Sequence, residues 1–141
     1  MMNTYEYEDL EIGHKEEFSV TVTEDMLERF REITGDMNPF HRDDDFAMKH
    51  GFRSHAAFGM LTASFLSTMA GMYLPGEKSI IQNTEVKFMQ PVYPGDRLTF
   101  CGEVAEKNDA YRVIRIKVSV KNDIGKKVLR GSMQIGFLAE G

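Results

Sequence analysis

The chain has 141 residues, 42% hydrophobic and 28% charged, the proportions of one ordinary globular domain whose core needs no disulfide or metal staple. Its formal net charge of −5 argues against non-specific nucleic-acid binding but is compatible with a local basic patch for an anionic ligand. The only cysteine, Cys101, has no intrachain partner, and the acidic start MMNTYEYEDLEIG lacks an apolar signal-peptide core, so a reducing, cytoplasmic setting is expected.

Residues 1–16 are polar with a few aromatics and read as a lead-in segment. Glu17 to Val22 alternates weakly, with Phe18, Val20 and Val22 on one side, which predicts a strand. Thr23 then has the character of a helix N-cap, and Glu24 and Asp25 complement the positive end of the helix dipole. Met26, Leu27, Phe30 and Ile33 follow at helical spacing until Gly35 stops them, giving a short amphipathic helix of about three turns. Gly35 to His41 is a loop in which Pro39 restricts Asn38, and the Asn38 side chain can brace the bend. Asp43, Asp44 and Asp45 predict the start of a further short helix, Phe46 to His50, closed by Gly51.

Ala56 to Leu74, AAFGMLTASFLSTMAGMYL, is the most informative stretch. It has no charged residue and small or apolar side chains on every face, so it predicts a helix buried all round, ended by Pro75-Gly76. Its length raises a membrane span as a rival. Thr62, Ser64, Ser67 and Thr68, two glycines and the lack of a second such segment favour a helix buried by a sheet of the same domain.

After Gly76 the period changes to two. Thr84, Val86 and Phe88 alternate within Ile80–Val92, and Tyr93-Pro94-Gly95-Asp96 makes a turn. Leu98, Phe100, Gly102 and Val104 alternate next, up to the polar turn Lys107-Asn108-Asp109. A long strand from Tyr111 to Val120 turns at Asn122–Gly125 into a last strand, Lys126–Leu138. Short turns of this kind predict an antiparallel meander. Helices first and strands after them give a single α+β domain over 1–141, and one long buried helix against one curved antiparallel sheet is the hot-dog fold. Such a sheet leaves an edge and a face that one subunit covers poorly, so at least a homodimer is expected.

Candidate chemistry sits on either side of the loop. Asp36 and His41 lie five residues apart around a proline-stiffened bend, a spacing that lets a carboxylate and an imidazole converge on one water. A purely structural turn, with Asp36 capping backbone donors and His41 packed, is equally compatible with that spacing. Gly59 falls in the first turn of the long helix, where N–H groups lack intrahelical partners and a ligand oxygen can approach closely. The alternative there is a glycine that permits close helix–sheet packing. A metal site built from Asp36, His41 and Asp43–Asp45 is disfavoured, because the spacing fits no calcium loop and no second histidine is placed convincingly.

Thr-Gly-Asp-Met-Asn-Pro-Phe-His, Thr34 to His41, resembles the signature of the (R)-specific enoyl-CoA hydratases, the MaoC-like dehydratase family. The resemblance continues through Phe46-Ala47, Gly59-Met60-Leu61, Ala63-Ser64, Leu74-Pro75-Gly76, Val86-Lys87-Phe88, Pro91-Val92 and Gly95-Asp96, roughly residues 15–138. It implies a hot-dog fold and reversible hydration of trans-2-enoyl thioesters of CoA or acyl carrier protein, with no metal or organic cofactor. It also implies that Asp36 and His41 are the catalytic pair. The same resemblance makes Gly59 the backbone donor to the thioester oxygen, Ser67 a supporting serine and Asn38 the loop brace. Many members have histidine directly before the helix-start glycine, where this chain has Phe58. That ring is expected either to border the acyl entrance or to pack behind the thioester. A hot-dog thioesterase and a non-catalytic acyl-CoA-binding module are the alternatives, and the complete motif weighs against both.

Overall fold

The alternating segments pair into one antiparallel sheet. In a computed structural model that describes residues 1–140, the strands are β1 (Lys15–Thr21), β2 (Ser79–Phe88), β3 (Arg97–Asn108), β4 (Val113–Lys121) and β5 (Lys127–Phe137). They lie in the order β1-β3-β4-β5-β2. The run β3-β4-β5 is the expected meander. At the β4–β5 turn, Asn122 Oδ1 accepts from the N–H groups of Ile124 (3.2 Å) and Lys126 (3.0 Å).

The meander expectation fails at β2, which pairs with β5 at the far edge instead of with β3. Residues 89–96 are therefore not a hairpin turn but a crossing strap over the end of the sheet. Eight residues reach about 26 Å when extended, enough to pass over two strands spaced about 4.8 Å apart. The strap is tied down along its path. The N–H of Met89 donates to Val128 (2.9 Å), the N–H of Ala57 donates to Val92 (2.7 Å), and that of Gly95 donates to Val22 (2.7 Å).

The helices form where their caps predict. In α1 (Glu24–Thr34), Thr23 Oγ1 accepts from the Met26 N–H at 3.2 Å and Gly35 closes the C-terminus at φ 71°. In α2 (Asp44–Lys49), Asp43 Oδ1 accepts from the Phe46 N–H at 3.2 Å. The central helix, α3, spans Gly59–Thr68 and widens into one π turn, Met69–Tyr73. It starts later than Ala56, because the Ala56 carbonyl, which would accept from the Met60 N–H in a helix begun there, lies instead against His41 Nδ1 at 2.9 Å.

The core lies between α3 and one face of the sheet. Leu61, Leu66, Met69 and Ala70 meet Leu98, Phe100, Val104 and alternate β4 residues Ile114 to Val120, all buried. Gly102 stands in that row, and a Cβ there would come within 2.8 Å of Met69 Sδ, so its absence lets the helix approach the sheet. The lead-in contributes more than its polarity suggests. Tyr7 and Leu10 are buried in the core, and Tyr7 Oη donates to Asp109 Oδ1 at 2.6 Å.

Burial all round does not hold for α3 within one subunit. Gly59, Met60, Ser64 and Ser67 form an uncharged exposed stripe, with Met60 64% exposed. Beside it β2 is an edge strand that leaves Ile80, Ile81 and Phe88 in solvent. Among the described residues no helix is long and apolar enough to cross a membrane.

Gly131, on β5 beneath α3, tests the β2–β5 pairing. An added Cβ would lie 2.5 Å from the Glu85 carbonyl oxygen. Gly131→Ala is expected to push β2 off β5 and lower stability in urea unfolding by about 1–3 kcal/mol. Ser132→Ala, the next residue on the opposite face, is expected to leave the midpoint nearly unchanged.

Candidate active site

The loop that follows α1 is held by its own side chains. Thr34 Oγ1 accepts from the Asp36 N–H (3.2 Å), Asp36 Oδ1 from the Asn38 N–H (3.0 Å), and Asn38 Oδ1 from the Phe40 N–H (2.9 Å). Each short polar residue thus turns the backbone two positions on, which replaces the ladder bonds a loop lacks. Asn38 braces the bend as its position suggested, and Pro39 starts a 3₁₀ turn through His41. Asp36 is exposed, and its second carboxylate oxygen has no hydrogen-bond partner among the described residues.

His41 is half-buried and oriented by its Nδ1, which lies 2.9 Å from the Ala56 carbonyl oxygen. A carbonyl can only accept, so Nδ1 carries the hydrogen and Nε2 is the nitrogen left for other partners. The ring packs against Phe58 at 4.3 Å and Phe40 at 5.1 Å between centroids. Arg31, one helical turn before Gly35, donates through Nη2 to the His41 carbonyl at 3.2 Å. Arg42 Nε donates to Met37 O at 2.8 Å and closes the loop from its other end.

Across from the imidazole, α3 begins without a side-chain cap. Phe58 occupies the N-cap position, and the Gly59 N–H finds no acceptor among the described residues. The positive end of the helix dipole is therefore open at this point. Gly59 also serves packing, since a Cβ there would meet the Phe88 ring at 3.0 Å. His41, Gly59, Thr62, Phe88 and Met89 line one cavity of about 310 Å³, walled on the far side by the crossing strap. Two larger hollows, of about 740 and 730 Å³, are lined by none of the motif residues and do not contain this constellation.

Phe58 is 2% exposed and does not line the cavity. Its ring sits behind His41 and against Phe30, at 5.0 Å. Ser67 lies about two turns along α3 from Gly59, on the exposed stripe, and does not line the cavity of His41. No hydrogen bond joins Asp36 to His41 within the single chain. Among the described residues no group of three or more His, Cys, Asp or Glu side chains is disposed to hold a metal ion.

Two contributors went unread in the sequence. The Ala56 carbonyl is backbone and leaves no residue signature. Arg31 had one, a cation in the last turn of a helix that opens directly into the motif, but that placement is equally explained by the helix dipole.

Over 139 residues the chain is 32% identical to an (R)-specific enoyl-CoA hydratase of Rhodospirillum rubrum, covering 96% of this chain and 93% of the relative. Its fold is similar to that of the R-hydratase PhaJ1 of Pseudomonas aeruginosa in the unliganded form, with a TM-score of 0.90, 32% identity, and 99% and 89% of the two chains covered. The (R)-hydratase from Aeromonas caviae involved in PHA biosynthesis gives a TM-score of 0.87 at 28% identity, covering 91% and 97%. These neighbours share the hot-dog architecture, and the model of the MaoC like domain matches residues 9–125, so the chain belongs to the MaoC-like domain family.

Proposed function

We propose that this protein is an (R)-specific enoyl-CoA hydratase, a hydro-lyase that adds water reversibly to trans-2-enoyl thioesters and acts as a single domain in the cytoplasm. The observation that carries the reading is the shared cavity. A histidine with Nδ1 fixed to a carbonyl and a helix-start N–H with no partner face one apolar space, in a chain whose full-length relatives include named hydratases.

In this mechanism the Gly59 N–H polarises the thioester carbonyl and stabilises the enolate-like state, a contribution of about 3–4 kcal/mol at comparable oxyanion sites. Water attacks C3 as the C2=C3 π bond opens. Asp36 takes the proton that the water loses, while His41 Nε2, which carries no hydrogen, accepts from the water's second O–H and orients it. The proton on Asp36 is then passed to C2 with His41 as relay, so the water supplies both the C3 hydroxyl and the C2 hydrogen and both residues end as they began. Asn38 keeps the loop in register for both. Ser67 supports the acyl side of the site. The substrate is an acyl-CoA or acyl-carrier-protein thioester, and the residues named supply the acid, the base and the oxyanion donor without a cofactor. Two subunits joined through the exposed β2 edge and the uncharged stripe of α3 complete the enclosure, because Ile80, Ile81, Phe88 and Met60 are exposed apolar side chains there and Phe88 and Gly59 also line the cavity.

Three measurements test this reading. Asp36→Asn and His41→Gln are each expected to fold, with thermal melts close to the parent, and to lose about 10²–10⁴-fold in the hydration of crotonyl-CoA followed at the enoyl absorbance. A loss below tenfold in both would overturn the pair. Phe58→Ala is expected to cost about 3–5 kcal/mol of stability, while the octenoyl-to-crotonyl ratio of kcat/KM stays unchanged, since the ring lies behind His41 and not in the cavity. Sedimentation at micromolar concentration is expected to give a dimer, and Ile80→Lys with Ile81→Lys is expected to shift it to monomer and lower activity with it.

A further inference from the structure

The segment between α2 and α3 has no regular secondary structure, yet it supplies the carbonyl that orients His41. Its backbone is tied at several points: Phe52 N–H to Ala47 (3.1 Å), Ala56 N–H to Phe40 (3.0 Å) and Ala57 N–H to Val92 (2.7 Å). The residue directly before Ala56, His55, ties the segment to carboxylates at the starts of α1 and α2. His55 Nδ1 lies 2.6 Å from Asp44 Oδ1, at the start of α2, and Nε2 lies 2.7 Å from Glu24 Oε2, at the start of α1. The His55 backbone N–H also donates to Asp44 Oδ1, at 2.9 Å.

Carboxylates accept hydrogen bonds, so an imidazole held by one at each ring nitrogen carries a hydrogen on both and is an imidazolium. The side chain is 18% exposed, against 47% for Glu24 and 60% for Asp44, so the ring is the shielded member of the triad. Burial works against its charge, and the bonds to Asp44 and Glu24 outweigh that effect and hold its pKa above the ordinary histidine value. The Asp44 carboxyl is held below its own range, first by the His55 backbone N–H and then by the ring. These two carboxylates are the charged groups that face the ring, one from each helix packed against it.

We propose that His55 is a positioning residue for the hydration: clamped as an imidazolium between Glu24 and Asp44, it fixes the backbone at Ala56 so that this carbonyl holds His41 in the Nδ1–H form with Nε2 free for the reaction. The proposal rests on the hydratase reading for its kinetic consequence but not for its structural one. The sign of the pH dependence follows from the raised pKa. The clamp is complete when His55 is protonated, and it loosens as pH rises through the folded-state pKa, when one carboxylate loses its donor. The hydration rate should therefore carry an alkaline limb that belongs to His55.

The test compares parent, His55→Gln and Asp44→Asn across a pH series, with crotonyl-CoA kinetics and ¹⁵N-detected NMR of the His41 ring. Both variants are expected to lose about tenfold in kcat, with KM kept within about twofold, as for a displaced rather than a deleted reacting group. The alkaline limb should be absent in His55→Gln. The His41 ring should change from one Nδ1–H tautomer in the parent to a mixture in the variants. Unchanged kcat, pH limb and tautomer in the variants would overturn the proposal, and a lower melting temperature alone would leave His55 a structural strut. If His55→Gln does not fold, Asp44→Asn decides by the same criteria. A parent protein that hydrates no enoyl-CoA would refute the hydratase reading separately, and the tautomer measurement then decides the positioning role by itself.

Discussion

The structure depends on one packing constraint: an uncharged helix must lie close enough to a twisted sheet to exclude water from both. Removal of apolar surface from water contributes about 25 cal/mol per Å², and the helix gains it along Leu61, Leu66, Met69 and Ala70, all buried against the sheet. Gly102 under Met69 leaves room for a side chain that a Cβ would displace, and Gly131 lets β2 pair closely beside it, since a Cβ there would lie 2.5 Å from the Glu85 carbonyl oxygen. Once the helix is seated, its N-terminus has a fixed place relative to the sheet end. The site inherits its position from that packing. The first-turn N–H groups project where the strap and the motif loop close in, so a core interaction sets where the open end of the helix points.

A second constraint acts on the loops. The segments 35–43 and 50–58 have no ladder to join, and buried or half-buried backbone groups must still find partners. They do so through short polar side chains in the first segment and through cross-segment bonds in the second. Because the Ala56 N–H is spent on Phe40 and its carbonyl on His41, the two loops are stitched together at one residue. The same stitch selects the imidazole tautomer. A hydrogen bond that satisfies the fold also decides which imidazole nitrogen is left free.

The open side of the molecule has the opposite character. β2 lacks a neighbour on its outer edge and leaves isoleucine and phenylalanine side chains exposed, and α3 shows solvent a stripe with no charge. Both features adjoin the cavity of His41 and Gly59. Apolar surface at a strand edge is normally blunted by charge or cover, and here Glu85 and Lys87 on β2 supply charge only at its solvent face. The proposed second subunit accounts for that economy and would wall the cavity where a single chain leaves it open.

Much of this was legible in the residues because local physics wrote it there. Thr23 and Gly35 bound α1, Asp43 caps α2, and the change from period 3.6 to period two after Gly76 separates helix from sheet; each of these signals acts over a few residues, so sequence alone determined the α+β class and the element order. The motif loop was readable for the same reason, since Asp36, Asn38 and Pro39 act on their immediate neighbours. Tertiary structure decided what depends on distance along the chain. It paired β2 with β5, because strand choice is set by how residues 89–96 cross the sheet and not by the length of that segment. It delayed the start of α3 to Gly59, because the Ala56 carbonyl is taken by the distant His41 ring and not by a helical N–H, and it put Tyr7 and Leu10 in the core and Phe58 behind His41. It also brought His55 between Glu24 and Asp44, 31 and 11 residues away, a meeting no local pattern encodes because it exists only once both helix starts have been packed against the same turn of chain.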